Sequence, residues 1–437
     1  MQKEIINWKR NVAIFLLGQG ITLFGSMMVH YAVQWHITLT TQSGIAMMLL
    51  SISVAVPMFL ISPFAGVWAD RYNKKVIINI ADGCIAAVTL IMAVIFSIGF
   101  EYIALLMVCV AARGLGQGVQ TPAVTSFIPE IVPAEHLIRV NGFNSSLQSA
   151  IMFLSPVAGG ALITFLPIQT ALFVDVITAC IGVSLLAFFV KTAPREKKTG
   201  QKPAWQEMKE GLKYIKNNSF VKMLLIVNVL YSLLITPAAV LAPLQSVRNF
   251  GEEPWRLVAI ELVFFTGMTA GGILIGIWGG FKNKSITMTI AAGLSSLCVI
   301  CLGLFGYFIP YLVSMGLCGL FMSMFNAPLM TIMQIKIDAD YMGRVFSVMG
   351  MLGSIMMPLG MIIWGPLADI TNIDWLMITS GIGLIFVSVM FISAKPLRDA
   401  GLPDQKLSDE PQQGQSDNPA EYRMLDECFP LNKFTMG

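Results

Sequence analysis

Apolar residues run along this chain in about twelve blocks of roughly 20 residues each, separated by short clusters of Lys, Arg, Asp, Asn, Gly and Pro. The blocks lie at approximately 13–36, 44–68, 76–97, 102–122, 142–165, 169–190, 221–245, 256–279, 286–308, 310–332, 346–367 and 375–394. A helix of about 20 residues spans about 30 Å, the thickness of a bilayer's hydrocarbon core. Strands are excluded, because an open strand in lipid leaves its N–H and C=O groups unpaired, and a barrel strand needs only about ten residues. The pattern predicts an all-α integral membrane protein with twelve transmembrane helices.

Composition agrees with that solvent. Hydrophobic residues make up 56% of the chain and charged residues 12%, with a mean hydropathy of +0.73, whereas soluble domains carry charge at roughly 25% of positions. Basic residues set the orientation, since Lys and Arg accumulate in cytoplasmic loops. Of the 28, Arg113 falls inside a helix and only Arg248 and Arg256 fall beside connections on the opposite face, leaving the others on one side with both termini. The expected placement is a bacterial cytoplasmic membrane, N-in and C-in. The net charge of +3 is then a topology signal and gives no reason to expect a nucleic-acid partner. The first block is too long for a signal peptide and has no small-residue cleavage site, so it is expected to remain. The Cys298 and Cys301 pair sits in an apolar helix without further ligands, and no metal site is expected.

Hydrophobicity stops between residues 191 and 220, where Lys191, Arg195, Lys197, Lys198, Lys202, Lys209, Lys213 and Lys216 cluster. The chain therefore divides into an N-terminal six-helix half (1–190), a cytoplasmic basic linker (191–220), a C-terminal six-helix half (221–395) and a polar tail (396–437) expected to be disordered. Trp205, Met208, Leu212 and Ile215 recur at helical spacing within the linker, which fits a surface amphipathic helix or a solvated one. The halves share polar landmarks. Gly66, Trp68, Asn73 and Lys74 align with Gly276, Trp278, Asn283 and Lys284, and Pro122, Glu135 and Arg139 align with Pro328, Asp340 and Arg344. Chance matching of apolar sequence does not produce two polar matches at nearly one offset.

The first of these landmarks, GVWADRYNKK over 66–75, has its own physical logic. Gly66 permits a close helix approach, Asp70 can cap the positive end of a neighbouring helix, and Arg71, Lys74 and Lys75 hold the turn in the cytoplasm. Such a contact at the inner face can act as a conformational latch. The pattern G-x-x-x-D-R-x-x-[RK]-[RK] between the second and third spans resembles the signature of the major facilitator superfamily. The resemblance covers about residues 8–395 and implies two pseudo-symmetric six-helix halves that rock about a midplane site. The segment Pro129–Asn141, Gly343–Ser347 and Leu147–Ser149 resemble the exporter branch that includes Mef-type macrolide-efflux pumps and siderophore exporters. Pro156, Gly159 and Gly160 are similar to the G-P-x-x-G-G helix motif of drug/proton antiporters, with Ser155 replacing the first Gly. They also read locally as a kink and a close helix crossing.

Ionisable side chains inside the spans are costly, so function or pairing is the default reading. Arg113, Asp175, Glu261 and Asp82 are the proton-coupling candidates. Arg113 opens a partial match to the family's R-x-x-x-G pattern, in which the Arg is associated with proton transfer. A carboxyl tends to neutralise when buried and to ionise beside a cation, so one whose surroundings alternate can take up and release a proton. Glu261 or Asp175 is the expected exchange site, with Arg113 tuning its partner; structural pairing is the alternative for Asp175 and Asp82. Among 28 Met and 27 Phe, which suit shape-varied amphiphiles, Tyr231 and Pro237 in the seventh span are the cavity candidates.

The resemblance thus implies a secondary active exporter, a functional monomer in the lipid bilayer that exchanges protons for hydrophobic or amphipathic drugs such as macrolides. No catalytic residues and no cofactor are expected, the proton gradient being the energy source, and the chain holds no nucleotide-binding G-x-x-x-x-G-K-[ST] segment. A siderophore exporter, a lysophospholipid flippase and a nutrient importer of the same superfamily are the alternatives.

Overall fold

Apolar stretches of this length fold as helices because each backbone group then finds its partner within its own segment. The computed structural model describes residues 8–190 and 213–402, and among these residues twelve helices are long and apolar enough to cross a membrane. They are α1 (Trp8–Thr41), α2 (Gly44–Arg71), α3 (Lys74–Ser97), α4 (Ile103–Ile131), α5 (Leu137–Phe165), α6 (Ile168–Phe189), α7 (Ser219–Phe250), α8 (Pro254–Trp278), α9 (Lys284–Leu304), α10 (Phe308–Lys336), α11 (Ala339–Ile370) and α12 (Ile373–Ser393). A short α13 (Lys395–Ala400) follows.

Several helices outrun their apolar blocks. α1 has 34 residues and α11 has 32, since polar residues can continue a helix beyond the hydrocarbon layer. Most of the expected linker, including Trp205, Met208 and Leu212, lies outside the described residues, as does 403–437. α13 passes the expected start of the tail and is docked: Leu397 is buried, Ser285 Oγ donates to its carbonyl at 2.6 Å, and Lys284 N donates to Gly401 O at 2.8 Å. Pro237 does not break α7. It opens a π-helical turn, Pro237–Leu241, inside one continuous span.

The helix starts carry the repeat. Asn73 accepts from Lys75 N and Asn283 accepts from Ser285 N, so the aligned asparagines cap α3 and α9 in the same way. The preceding helices end differently. α2 runs on to Arg71, whereas α8 stops at Trp278 because Gly279 turns into the left-handed region at φ 73°.

Packing repeats with a period of six helices. α2 packs on α4 as α8 does on α10, α3 on α6 as α9 on α12, and α1 on α5 as α7 on α11. The halves join through the equivalent pairs α2 with α11 and α5 with α8. Connections alternate between two ends of the bundle. One, here termed the basic end, carries Lys9, Arg71, Arg139 and Lys282; the opposite end carries the turns at 42–43, 251–253 and 371–372. Close backbone approaches between halves occur at the opposite end, where a Cβ on Gly44 would meet Ala368 Cβ at 2.8 Å and one on Gly160 would overlap Val258. A Cβ on Gly66, Gly142, Gly276, Gly350 or Gly353, on the basic-end portions of α2, α5, α8 and α11, would meet nothing within 4 Å among the described residues. Among the described residues, these backbone-close contacts between the halves lie at the opposite end.

Candidate functional site

Four helices of the first half converge on a charged centre. Arg113 of α4 and Asp175 of α6 form an ion pair at 2.5 Å, with side-chain exposures of 6% and 1%. Thr89 of α3 accepts from Arg113 Nη1 and donates to Asp175 Oδ2 at 3.3 Å, and Ser26 of α1 donates to Asp175 Oδ1 at 3.2 Å. Gly25 makes room beside this centre, since a Cβ there would collide with Thr178 Oγ1 and sit 3.2 Å from Asp175 Oδ1. Buried charges are tolerable only when paired and hydrogen-bonded, and both conditions are met here.

A second polar layer lies two helical turns away. Asp82 of α3, 2% exposed, accepts from Gln19 of α1 at 3.4 Å through Oδ2, and Gln19 in turn accepts from Gln120 of α4 at 3.2 Å. Asp82 Oδ1 has no hydrogen-bond partner among the described residues. The members of the two layers are related by seven residues on each helix: Gln19 with Ser26, Asp82 with Thr89, Gln120 with Arg113. Seven residues rise about 10 Å, which places the Asp82 layer nearer the basic end. The structure thus unites Arg113 with Asp175 and sets Asp82 apart. Glu261 is elsewhere again, half-buried on α8 one turn from Val258, and it makes no hydrogen bond or ion pair among the described residues.

The latch expected at 66–75 is only partly visible. Gly66 approaches no neighbour among the described residues, contrary to expectation, since a Cβ there would meet nothing within 4 Å. The side chain of Asp70 lies outside the described ones, and Arg71 is exposed. Lys74 and Lys75 do more than mark topology. Lys74 pairs with Glu130 at 2.9 Å and donates to Ser126 O, while Lys75 donates to the carbonyls of Ala187 and Val190 at 2.8 and 2.7 Å, tying α3 to the ends of α4 and α6. The Pro156 segment makes the expected close crossing: a Cβ on Gly159 would meet Met28 O of α1 at 3.2 Å, and one on Gly160 would meet Trp35 at 3.1 Å. Tyr231 and Pro237 do not stand in an open cavity. Both are buried, and Tyr231 stacks on Phe325 with ring centroids 5.3 Å apart.

The contact that holds the halves together was not read from the sequence. Asp369, at the end of α11, accepts from Gly44 N at 2.6 Å, Ile45 N at 2.9 Å and Ser43 Oγ at 2.7 Å, so a carboxylate of one half caps the first turn of α2 in the other. Arg248, at the end of α7, pairs with Asp369 at 2.8 Å and donates to Gln42 O at 2.6 Å and to Ala368 O. Gln42 donates to Glu252 at 2.6 Å. The available signal was Arg248 itself, one of the two basic residues standing against the charge bias.

Known proteins resemble this chain along most of its length. A family model described as the Major Facilitator Superfamily matches residues 11–361. The chain is 27% identical to macrolide efflux protein A of Streptococcus pyogenes over 388 residues, 88% of this chain and 96% of that protein. It is 28% identical to macrolide efflux protein A of Enterococcus faecalis over 320 residues, 72% and 99% of the respective lengths. A crystal structure of a bacterial homologue of the human lysosomal transporter Spinster, described as inward-facing and unoccupied, shares the fold with a TM-score of 0.70 at 12% identity, covering 92% of this chain and 100% of that one.

Proposed function

The chain belongs to the Major Facilitator Superfamily, and from that premise we propose that it is a secondary exporter that carries amphipathic drugs of the macrolide type outward in exchange for protons. The observation that carries this reading is the one-ended joining of the halves. Asp369, Arg248 and the first turn of α2 clasp the opposite end, while Gly66, Gly142, Gly276, Gly350 and Gly353 on the basic-end portions of α2, α5, α8 and α11 have no described atom within 4 Å of where a Cβ would stand. This is one of the two arrangements that alternating access requires. With the basic end on the cytoplasmic side, as the Lys and Arg bias favours, it is the arrangement that receives cargo from inside.

Coupling to protons is supported by carboxyls held where their surroundings can change. Asp175 is neutralised by Arg113, Asp82 has an unpartnered oxygen, and Glu261 stands beside the α5–α8 crossing at which the halves meet. A relative rotation of the halves alters what Glu261 faces more than what Asp175 faces, so Glu261 is the better exchange site and the Arg113 pair the fixed counterpart. The cargo class rests on the likeness to the macrolide efflux proteins.

Everted vesicles containing the protein test both parts. They should accumulate a labelled macrolide under a proton gradient and lose it when an uncoupler is added. Accumulation indifferent to the uncoupler refutes the exchange, and accumulation of siderophores without macrolides refutes the cargo.

A further inference from the structure

At the basic end a cavity of about 780 Å³ has walls that come from α1, α5 and the turn before α5. It lies within one half of the molecule. Its body is apolar, with Phe24 and Leu147 on its walls, and Leu17 and Phe143 expose 58% and 61% of their surfaces. Its mouth is cationic. Lys9, the second residue of α1, and Arg139, near the start of α5, both line it, and among the described residues neither pairs with a carboxylate. Each instead lies over an aromatic ring 5.9 Å away, Lys9 on Trp8 and Arg139 on Phe143. The ring of His136 stacks on Trp8 at 4.7 Å and fixes the distance between the two helix starts.

We propose that this cavity is a binding site for an anionic membrane phospholipid, with the headgroup phosphate between Lys9 and Arg139 and an acyl chain laid along α1 toward Phe24. Two requirements fix the chemistry. A free anion has no use for the apolar walls, and a neutral hydrocarbon leaves two cations unanswered at the mouth. The position agrees with both parts of the ligand, because first-turn residues of spanning helices lie at headgroup depth and the walls descend from there into the hydrocarbon layer. From Trp8 to Phe24 the groove follows α1 for about 24 Å at 1.5 Å per residue, enough for a chain but not for a compact solute alone. The volume is within the range of about 300–1,000 Å³ typical of specific small-molecule sites. The site does not depend on the export reading, since none of its walls belongs to the second half.

Native mass spectrometry of the detergent-purified full chain, titrated with dioleoyl phosphatidylglycerol or dioleoyl phosphatidylcholine, tests the assignment. The wild type should retain phosphatidylglycerol preferentially. Lys9→Gln with Arg139→Gln should weaken phosphatidylglycerol by about thirtyfold, about fivefold for each charge, and leave phosphatidylcholine unchanged. Lys282→Gln, an exposed cation at the same end but outside the cavity, should have no effect. Leu17→Trp keeps both cations while filling the groove, and it should weaken phosphatidylglycerol as well. Undiminished binding by the double variant, an equal loss in Lys282→Gln, unchanged binding by Leu17→Trp, or displacement of the lipid by inorganic phosphate would each overturn the proposal.

Discussion

Asp369→Asn probes the clasp with almost no change in shape. Oδ1 of Asp369 receives Gly44 N and Arg248 Nη2, and Oδ2 receives Ser43 Oγ and Ile45 N. Asparagine retains one acceptor oxygen, and whichever way the amide is turned its NH₂ then faces a backbone donor. Two charge-assisted hydrogen bonds of about 1.5–3 kcal/mol are weakened or lost, together with about 0.3–1 kcal/mol from a negative charge at a helix N-terminus. The ion pair itself adds little, since its side chains are 25% and 20% exposed and solvent screens them. Water recovers part of the loss once the clasp opens, so the net bias toward the opened arrangement is about 2 kcal/mol, a population change of roughly thirtyfold. Spin labels at Thr40 and Glu253 report the clasped end, and labels at Val76 and Lys282 report the basic end; pulsed electron resonance distances should lengthen in the first pair and shorten in the second. Arg248→Gln should shift the same distances less, because the α2 cap survives it. Distance distributions in Asp369→Asn that match the wild type would refute the claim that this cap holds the halves.

Further outcomes follow from the same geometry. Arg113→Gln strands the Asp175 carboxylate in a dry centre and should lower stability by about 3–5 kcal/mol in detergent unfolding, whereas Arg113→Gln with Asp175→Asn should recover most of it; equal loss in both would mean that packing, not charge, is at stake. Gly44→Ala should destabilise the clasped arrangement by pushing α2 off α11, while Gly66→Ala, facing open space, should leave the melting temperature unchanged yet slow transport when the basic end closes. Normal turnover in Gly66→Ala would remove that glycine from the moving surface. Glu261→Gln should abolish uncoupler-sensitive efflux in everted vesicles with insertion intact, and full activity in both Glu261→Gln and Asp175→Asn would exclude these carboxyls from coupling.

The twelve spans were legible because lipid leaves a helix no choice, and the internal repeat because asparagine caps two equivalent helix starts. Span ends were less legible, since hydropathy records where lipid stops and a helix can continue past it, as α1 does to Thr41. The Arg113 and Asp175 pairing could be suspected from two costly charges in one half, yet only packing decides that Asp175 and not Asp82 receives the guanidinium. The seven-residue spacing of Gln19, Asp82 and Gln120 from the first layer was present in the sequence, but polar amides inside spans attract less notice than charges. The clasp was out of reach for a different reason. Arg248 stands out only by its side of the membrane, nothing singles out Asp369, and the acceptor geometry depends on backbone N–H groups of α2, which carry no sequence signature.

The two halves repeat each other's packing without repeating each other's charge. The buried ionisable side chains Lys74, Asp82, Arg113 and Asp175 all belong to the first half, whereas the buried polar groups of α7–α12 are hydroxyls and an amide such as Thr236, Ser296, Ser380 and Gln245. A membrane voltage does work only on charge, about 2.3 kcal/mol for each elementary charge carried across 100 mV. Lys74 and Arg113 stand against Asp82 and Asp175, so this set of charges balances while all four groups are ionised, and an energised membrane gains a grip on it when a proton upsets that balance, as it would at Glu261 of α8 in the exchange proposed above.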